Sequence, residues 1–506
     1  MSSRKRQKTS RAFGAPSEAD NPVQNLPSSS SSSSRTLPLK TVPTLTTLCA
    51  RRFVSQFIKL RSNLQLWDLT THYLKLLPEA IVPKLFTMIR GSHLATYIPH
   101  EIIVTYFLQG PSLTLTDSLP GVNKNTVLSI GRINPHLREL ELSGFAKFAD
   151  ETFASTISHL NSLRSLVLRG CTRVSNKTVD TIIKSCPELR IINLNYTSVT
   201  PLSVAALVTS CHELEVLKLA GISNWTDATF AKFTSALDEK TCLPNLHTLK
   251  LRELSLSDNS LATFVSLCPT LKRLDVSFTL IKHPQIVISD KPPALEKLSL
   301  TSTAVTGTDL VSTIVQLPHL KTLSLGALGV RQSSKASISN SSAMSMNDST
   351  LRNLVDILEG FQQLQSINLV SNTKLGGSSR VDSALFDFIR RVGRKCQYLN
   401  LSNLSSLRSD DLAALLPLDD QDDVPSLRTL VLNNVSIDDD ASAFLACCCN
   451  LSRLEISGTK LTKQGVFAII DSCPELQYLD VTSCRGISIT DRRRIFDVWK
   501  EERKDE

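Results

Sequence analysis

CPELRIINLNYTSVT, residues 186–200, returns close to the other end of the chain as CPELQYLDVTSCRGI, residues 473–487. Both reduce to one template: Cys, Pro, any residue, Leu, two residues, Leu, one residue, then Leu, Ile or Val. With the first leucine taken as an anchor, anchors fall at Leu137, Leu163, Leu189, Leu214, Leu246, Leu271, Leu295, Leu320, Leu364, Leu427, Leu451 and Leu476. Cys396 fills the anchor slot of a degenerate copy, ahead of Leu399 and Leu401. Most steps are 24 to 26 residues, and those of 31, 32 and 44 read as the same unit carrying loop insertions.

A fixed period in this range marks a leucine-rich-repeat solenoid. The physics points the same way. Leu189, Ile192 and Leu194 cannot be buried by one short strand, so each unit must stack on the next. In the second half of each unit the apolar spacing becomes helical. Val204, Leu207, Val208 and Cys211 stand at i, i+3, i+4 and i+7, as do Val179, Ile182, Ile183, Cys186 and Val466, Ile469, Ile470, Cys473. Thr200-Pro201 reads as the N-cap and first-turn proline of one such helix. The expected fold is α/β: one parallel sheet on the concave side, helices on the convex side, with Leu142, Leu168, Leu194, Leu219 and Leu251 pointing inward.

The cysteines follow the repeat. Cys186, Cys211, Cys268, Cys448 and Cys473 sit three residues before an anchor, and Cys171 and Cys484 eight after one. No C-x-x-C pair is backed by a second pair or by histidines, and CCC at 447–449 lacks metal spacing, so small buried core residues are expected rather than a metal or redox site. Free thiols suit a reducing compartment, nuclear or cytoplasmic; no signal peptide or long apolar run is present.

Residues 110–490 resemble the cysteine-containing leucine-rich repeats of F-box-type ubiquitin-ligase subunits and of the antagonist-of-mitotic-exit family. The resemblance implies a horseshoe of about thirteen repeats that binds protein. The flanks carry the rest. Residues 1–40, with RKRQK at 4–8 and serines 28–34, hold seven Lys/Arg against two Asp/Glu, cannot build a core and are expected to be disordered. Of the net charge of +9, this arm supplies +5, so the remainder is only mildly basic, which argues against direct nucleic-acid binding. Arg4, Lys5, Arg6 and Lys8 read as a nuclear-import signal or a plain solvated basic end.

Residues 41–109 lack the repeat and read as a helical cap over the solenoid's first end. TLTTLCARRF (44–53) resembles a BC-box, the helix that docks on elongin C, with Leu45 and Cys49 matching and Phe53 where the family prefers an aliphatic residue. Downstream, Leu77, Pro78 and Ile81 in LPEAI resemble a cullin box, while LPEAIVPKLFTMI also resembles the opening of an F-box, which would dock a Skp-type adaptor. This order of motifs is similar to that of elongin-C adaptors with leucine-rich repeats, including the repeat-bearing nucleotide-excision-repair subunit of yeast. The resemblance implies a substrate receptor of a cullin-type ligase whose target cannot be named. A cap with no docking role, on a scaffold or regulator of the cell cycle or DNA repair, is the other reading.

Residues 491–506 suggest a closing helix built on Ile495, Phe496 and Trp499. The serine-rich stretch 326–350 reads as a loop, as does DDQDD at 419–423, which lacks the glycine and closing glutamate of a calcium loop. No catalytic or cofactor motif occurs: the nine histidines include no H-E-x-x-H, and G-x-S-x-G, the P-loop and G-x-G-x-x-G are missing. Strand alternation places positions +2 and +4 on the concave face. There Lys218, Lys250, Arg273 and Lys297, with Arg252 one step on, form either a groove for an acidic partner segment or an ordinary solvated face.

Overall fold

A leucine at the anchor, at +3 and at +5 gives each repeat one strand whose inner face must be covered, and neighbouring repeats cover it. The structure, a computed structural model, describes residues 34–36, 43–238, 241–284, 286, 294–329, 345–377, 382–417 and 424–505. Fourteen strands, from Ser112–Thr116 to Tyr478–Asp480, lie parallel and in chain order in a single sheet. The register is set by the +3 position: Leu113 pairs with Leu140, Leu140 with Leu166, and so on to Leu454 with Leu479. Leu142, Leu168, Leu194, Leu219 and Leu251 are buried as expected. The first strand is a copy that the leucine pattern hides, because glycine stands in its anchor slot at Gly110.

Strands in a sheet are about 4.8 Å apart, whereas packed helices need 8–10 Å. Neighbouring helices pack on one another along the far side of the sheet. With one strand and about one helix per repeat, the sheet must take the inside of the curve. Thr200 caps the helix Pro201–Ser210, accepting from Ser203 N while the Ser203 hydroxyl accepts from Thr200 N. Cys186, Cys211, Cys268 and Cys473 occupy helix C-cap positions. Their thiols and that of Cys171 are buried, and several reach into the preceding repeat: Cys171 Sγ donates to Leu142 O (3.1 Å) and Cys186 Sγ to Leu160 O (3.6 Å). Burial pushes the Cys171, Cys186 and Cys268 thiols up to about 12, so they stay neutral packing groups.

A further regularity follows each strand. The residue at anchor+7 has a left-handed φ in every one of the thirteen repeats counted from Leu137. Glycine takes it at Gly144, Gly170, Gly221 and Gly458, but Tyr196, Glu253 and Phe278 also adopt it, a conformation uncommon for bulky side chains.

Two expectations need correction, in the arm and in the serine-rich stretch. Within the arm 1–40, which composition marks as coreless, Ser34–Thr36 forms an antiparallel strand on Tyr478–Asp480. Backbone pairing needs no apolar side chains, so composition does not register it. The serine-rich stretch 326–350 ends early: Met346 is buried and Asn347 caps a helix beginning at Asp348. The closing helix starts at Ile489, and it buries Ile495, Phe496 and Trp499. The basic cluster Arg4–Lys8 and the acidic run Asp419–Asp423 lie outside the described residues. Among the described residues, no helix is long and apolar enough to cross a membrane.

Candidate functional site

The cap is built from α1 (Leu45–Ser62), α2 (Leu64–Lys75) and α3 (Val82–Arg90). Thr44 caps α1 by accepting from Thr47 N, and Asn63 ends α1 and caps α2 by accepting from Leu66 N at 3.1 Å. The inner faces form a core in which Phe57 meets Phe53 and Trp67 edge-on, with ring centroids 5.8 and 5.7 Å apart. In α3, Val82, Leu85, Phe86 and Ile89 are all buried, and Phe86 stacks on Phe107. Arg90 fixes the cap to the first repeat by donating to Thr114 O at 2.9 Å.

The outer faces are unusual for their apolar content. On α1, Leu45 is 76% exposed, and Leu48 and Cys49 are also open. On α2, Leu66, Leu69, Tyr73 and Leu76 stand at i, i+3, i+7 and i+10, a single stripe, and each is at least 45% exposed. Scattered single apolar residues on a surface are ordinary, but a contiguous stripe marks an interaction site.

The docking residues expected from sequence divide here. Leu45 and Cys49 face out. Phe53 turns inward: four residues overshoot a 3.6-residue turn by about 40°, so the row Leu45, Cys49, Phe53, Phe57 spirals from solvent into the core. Leu77 and Ile81 are half-buried between α2 and α3, which leaves only Pro78 of that trio exposed. The F-box-like opening is likewise spent on the core through Val82, Leu85 and Phe86. The stripe on α2, by contrast, belongs to none of the motifs above, although its spacing is legible in the sequence.

On the concave face, the five basic residues do not form an open positive groove. Lys250 Nζ lies 3.2 Å from Asp275 Oδ2. Arg252 Nε donates to Glu253 Oε1 at 2.9 Å, and its guanidinium lies over the Phe278 ring, 4.4 Å from the centroid. Lys218 and Lys297 are half-buried in the same row, and Arg273 is exposed. The correction is electrostatic: cations brought beside carboxylates one repeat or one residue away become paired, and the net potential drops. Glu253 also accepts from the Tyr196 hydroxyl at 3.1 Å. Burial, and then the Glu253 carboxylate, hold that phenol above its ordinary range, so it remains a donor. The Tyr196 ring lies over Gly221, where an added Cβ would meet its Cε1 at 2.2 Å. Tyr196, Glu253, Arg252 and Phe278 thus form one connected ridge across four repeats, and three of the four are the left-handed residues that no sequence pattern flagged.

The chain folds as a leucine-rich-repeat solenoid with buried cysteines at repeated positions. Among curated proteins it is 30% identical over 118 residues to a chain named F-box/LRR-repeat protein 21 of Arabidopsis thaliana, and 35% identical over 87 residues to F-box/LRR-repeat protein 23 of the same plant. Those matches cover 23% and 15% of this chain, and they span only 36% and 19% of the relatives. No protein-family model matches it. Among solved structures, the yeast Rad7 and Elc1 complex is similar at a TM-score of 0.46 and 16% identity, covering 88% of this chain and 95% of that one. An internalin of Listeria monocytogenes is similar at 0.37 and 15%, over 74% and 87% of the two chains.

Proposed function

We propose that this chain is a non-catalytic substrate-recognition subunit of a cullin-type ubiquitin ligase. It holds a target protein on the concave face and docks an adaptor through the outer faces of α1 and α2. The observation that carries the reading is the exposed stripe Leu66, Leu69, Tyr73 and Leu76 along α2 and its C-cap, together with exposed Leu45, Leu48 and Cys49 on α1. A cap whose only task is to close a solenoid needs an apolar inner face and a polar outer one. This cap carries an apolar stripe on its outer face as well. The partial likeness to F-box/LRR-repeat proteins supports the same class of function.

Between the two adaptors, the geometry favours an elongin-C-type partner. The BC-box-like positions Leu45 and Cys49 are open, whereas the apolar residues of the F-box-like opening, Val82, Leu85 and Phe86, are buried. Leu77, Pro78 and Ile81 would then serve the cullin, and of the three Pro78 is exposed while Leu77 and Ile81 are half-buried. Arg4, Lys5, Arg6 and Lys8 would direct import to the nucleus. Gel filtration of the purified chain with elongin C, and separately with a Skp-type adaptor, tests the assignment. Co-elution with elongin C is expected. Co-elution with the Skp-type adaptor alone would reassign the ligase class, and recovery of neither would leave a scaffold that binds its partners by the solenoid only.

A further inference from the structure

The outer strand of a sheet presents unpaired backbone N–H and C=O groups, and such an edge recruits another strand unless something covers it. At the first edge of this sheet stand the cap helices, with Arg90 bonded to Thr114 O. At the last edge, the helix Ile489–Asp505 buries Ile495, Phe496 and Trp499 over the final repeat's apolar core. The strand itself is completed by a different segment. Ser34, Arg35 and Thr36 pair antiparallel with Asp480, Leu479 and Tyr478. The half-buried Ser34 also bonds the Tyr478 side chain, on the diagonal that antiparallel pairing brings within reach. The Arg453 guanidinium lies over the Tyr478 ring, 3.8 Å from its centroid.

Chain connectivity gives this contact a consequence. Thr36 and Pro43 are seven residues apart and therefore separated by no more than about 25 Å. Pro43 precedes Thr44, the N-cap of α1, and α1 belongs to the cap at the opposite end of the solenoid. Fourteen strands at about 4.8 Å spacing span roughly 60 Å along the sheet. The final strand and the start of the cap are thus joined by a short tether, although the whole sheet lies between them in chain order.

We propose that the edge of the final repeat is a docking site for an extended antiparallel strand, and that its occupant is the chain's own Ser34–Thr36. Docked, the arm acts as a strap that ties the last repeat to the cap and limits how far the horseshoe opens over its concave face. Strand addition supplies its recognition through the backbone, with Ser34 set against Tyr478. Tethering makes the encounter intramolecular, so even a short strand experiences an effective concentration on the order of millimolar. The inference rests on the strand pairing and stands whether or not the chain serves a ligase.

The test compares the full chain with deletions of residues 1–33 and 1–36. Tyr478 N donates to Ser452 O of the preceding repeat, and strand alternation turns the Leu479 amide to the outer edge, opposite Arg35. Hydrogen exchange at the Leu479 amide and the solution radius of gyration are measured for each. The shorter deletion is expected to behave as the full chain. The longer one should exchange at least tenfold faster at that amide and open measurably. The synthetic peptide SSSSRTLPLK, residues 31–40, added at millimolar concentration, should restore protection. In a separate full-length S34C/D480C chain, mild oxidation should yield a linked peptide pair by mass spectrometry, since the two residues face each other in register. Exchange unaltered by the longer deletion, or a double-cysteine chain that gives no linked peptide, would overturn the strap.

Discussion

Replacing Leu69 and Tyr73 together with glutamate separates a docking face from a mere cap. The two are 54% and 61% exposed, so the free chain gains little from them. Surface substitutions of this kind usually change stability by no more than about 0.5 kcal/mol, and glutamate is a good helix former. Burying such a side chain fully is worth roughly 1.5–3 kcal/mol, so covering the exposed half under an adaptor contributes about 1 kcal/mol each. Losing both amounts to about 2 kcal/mol, or roughly thirtyfold in Kd, and the carboxylates add a desolvation penalty on top. Phe57→Ala is the contrasting variant. Phe57 is 1% exposed and holds Phe53 and Trp67 edge-on, so its truncation should cost about 3–5 kcal/mol. Calorimetry on both variants and titration with elongin C give the two readouts. A glutamate pair that leaves Kd unchanged, or that melts the chain as Phe57→Ala does, refutes the reasoning.

Gly221→Ala should cost about 2–3 kcal/mol in urea unfolding, from the left-handed φ of +67° and from displacement of the Tyr196 ring with its bond to Glu253. Gly170→Ala, with a similar φ but its nearest neighbour at 3.4 Å, should cost only about 1 kcal/mol, and equal costs would contradict the ridge. Stability should fall as pH rises above about 9. Cys171, Cys186, Cys268 and Cys396 ionise near their ordinary value when unfolded but only at about 12 when folded, so the unfolded chain holds fewer protons in that window. Each contributes a slope of about 1.4 kcal/mol per pH unit there, and Cys→Ala variants should flatten the alkaline limb of a denaturation series. Arg273→Glu, at the exposed member of the concave row, should weaken capture of a target that sets an anion against Arg273 several-fold and leave the melting temperature unmoved; unaltered capture would remove that residue from the binding face.

Those features that depend on local apolar periodicity were legible in the sequence. Anchors, strand register, inward leucines and the cysteine slots all follow from a repeat whose side chains must be buried by its neighbours. The strand beginning at Ser112 escaped because Gly110 in its anchor slot removes the leucine on which the pattern depends. The pairing of Ser34–Thr36 escaped for a different reason: it joins backbones from opposite ends of the chain, and backbone hydrogen bonds leave no side-chain signature. In the cap, each step of the i+4 row Leu45, Cys49, Phe53 is near one turn, which suggests a single face. Summed over eight residues the 40° overshoots amount to about 80°, enough to turn Phe53 from the surface to the edge of the core.

The concave face shows why a count of charges misleads in a solenoid. Stacking repeats sets side chains from successive strands about 4.8 Å apart, close enough for Lys250 to meet Asp275 across one step. The Lys250–Asp275 and Arg252–Glu253 pairs are largely shielded, with side-chain exposures between 16% and 30%. An incoming carboxylate would have to displace Asp275 or Glu253, exchanging one ion pair for another with little net gain. Charge complementarity of this kind confers discrimination rather than raw affinity. A target segment that sets a cation against Asp275 or Glu253 as well as an anion against Lys250 or Arg252 keeps all four groups satisfied. A purely acidic segment strands the two carboxylates. If the concave face is the one that binds, the ridge of Tyr196, Glu253, Arg252 and Phe278 would suit a partner of alternating charge, a preference set by the spacing of the repeats as much as by the residues on them.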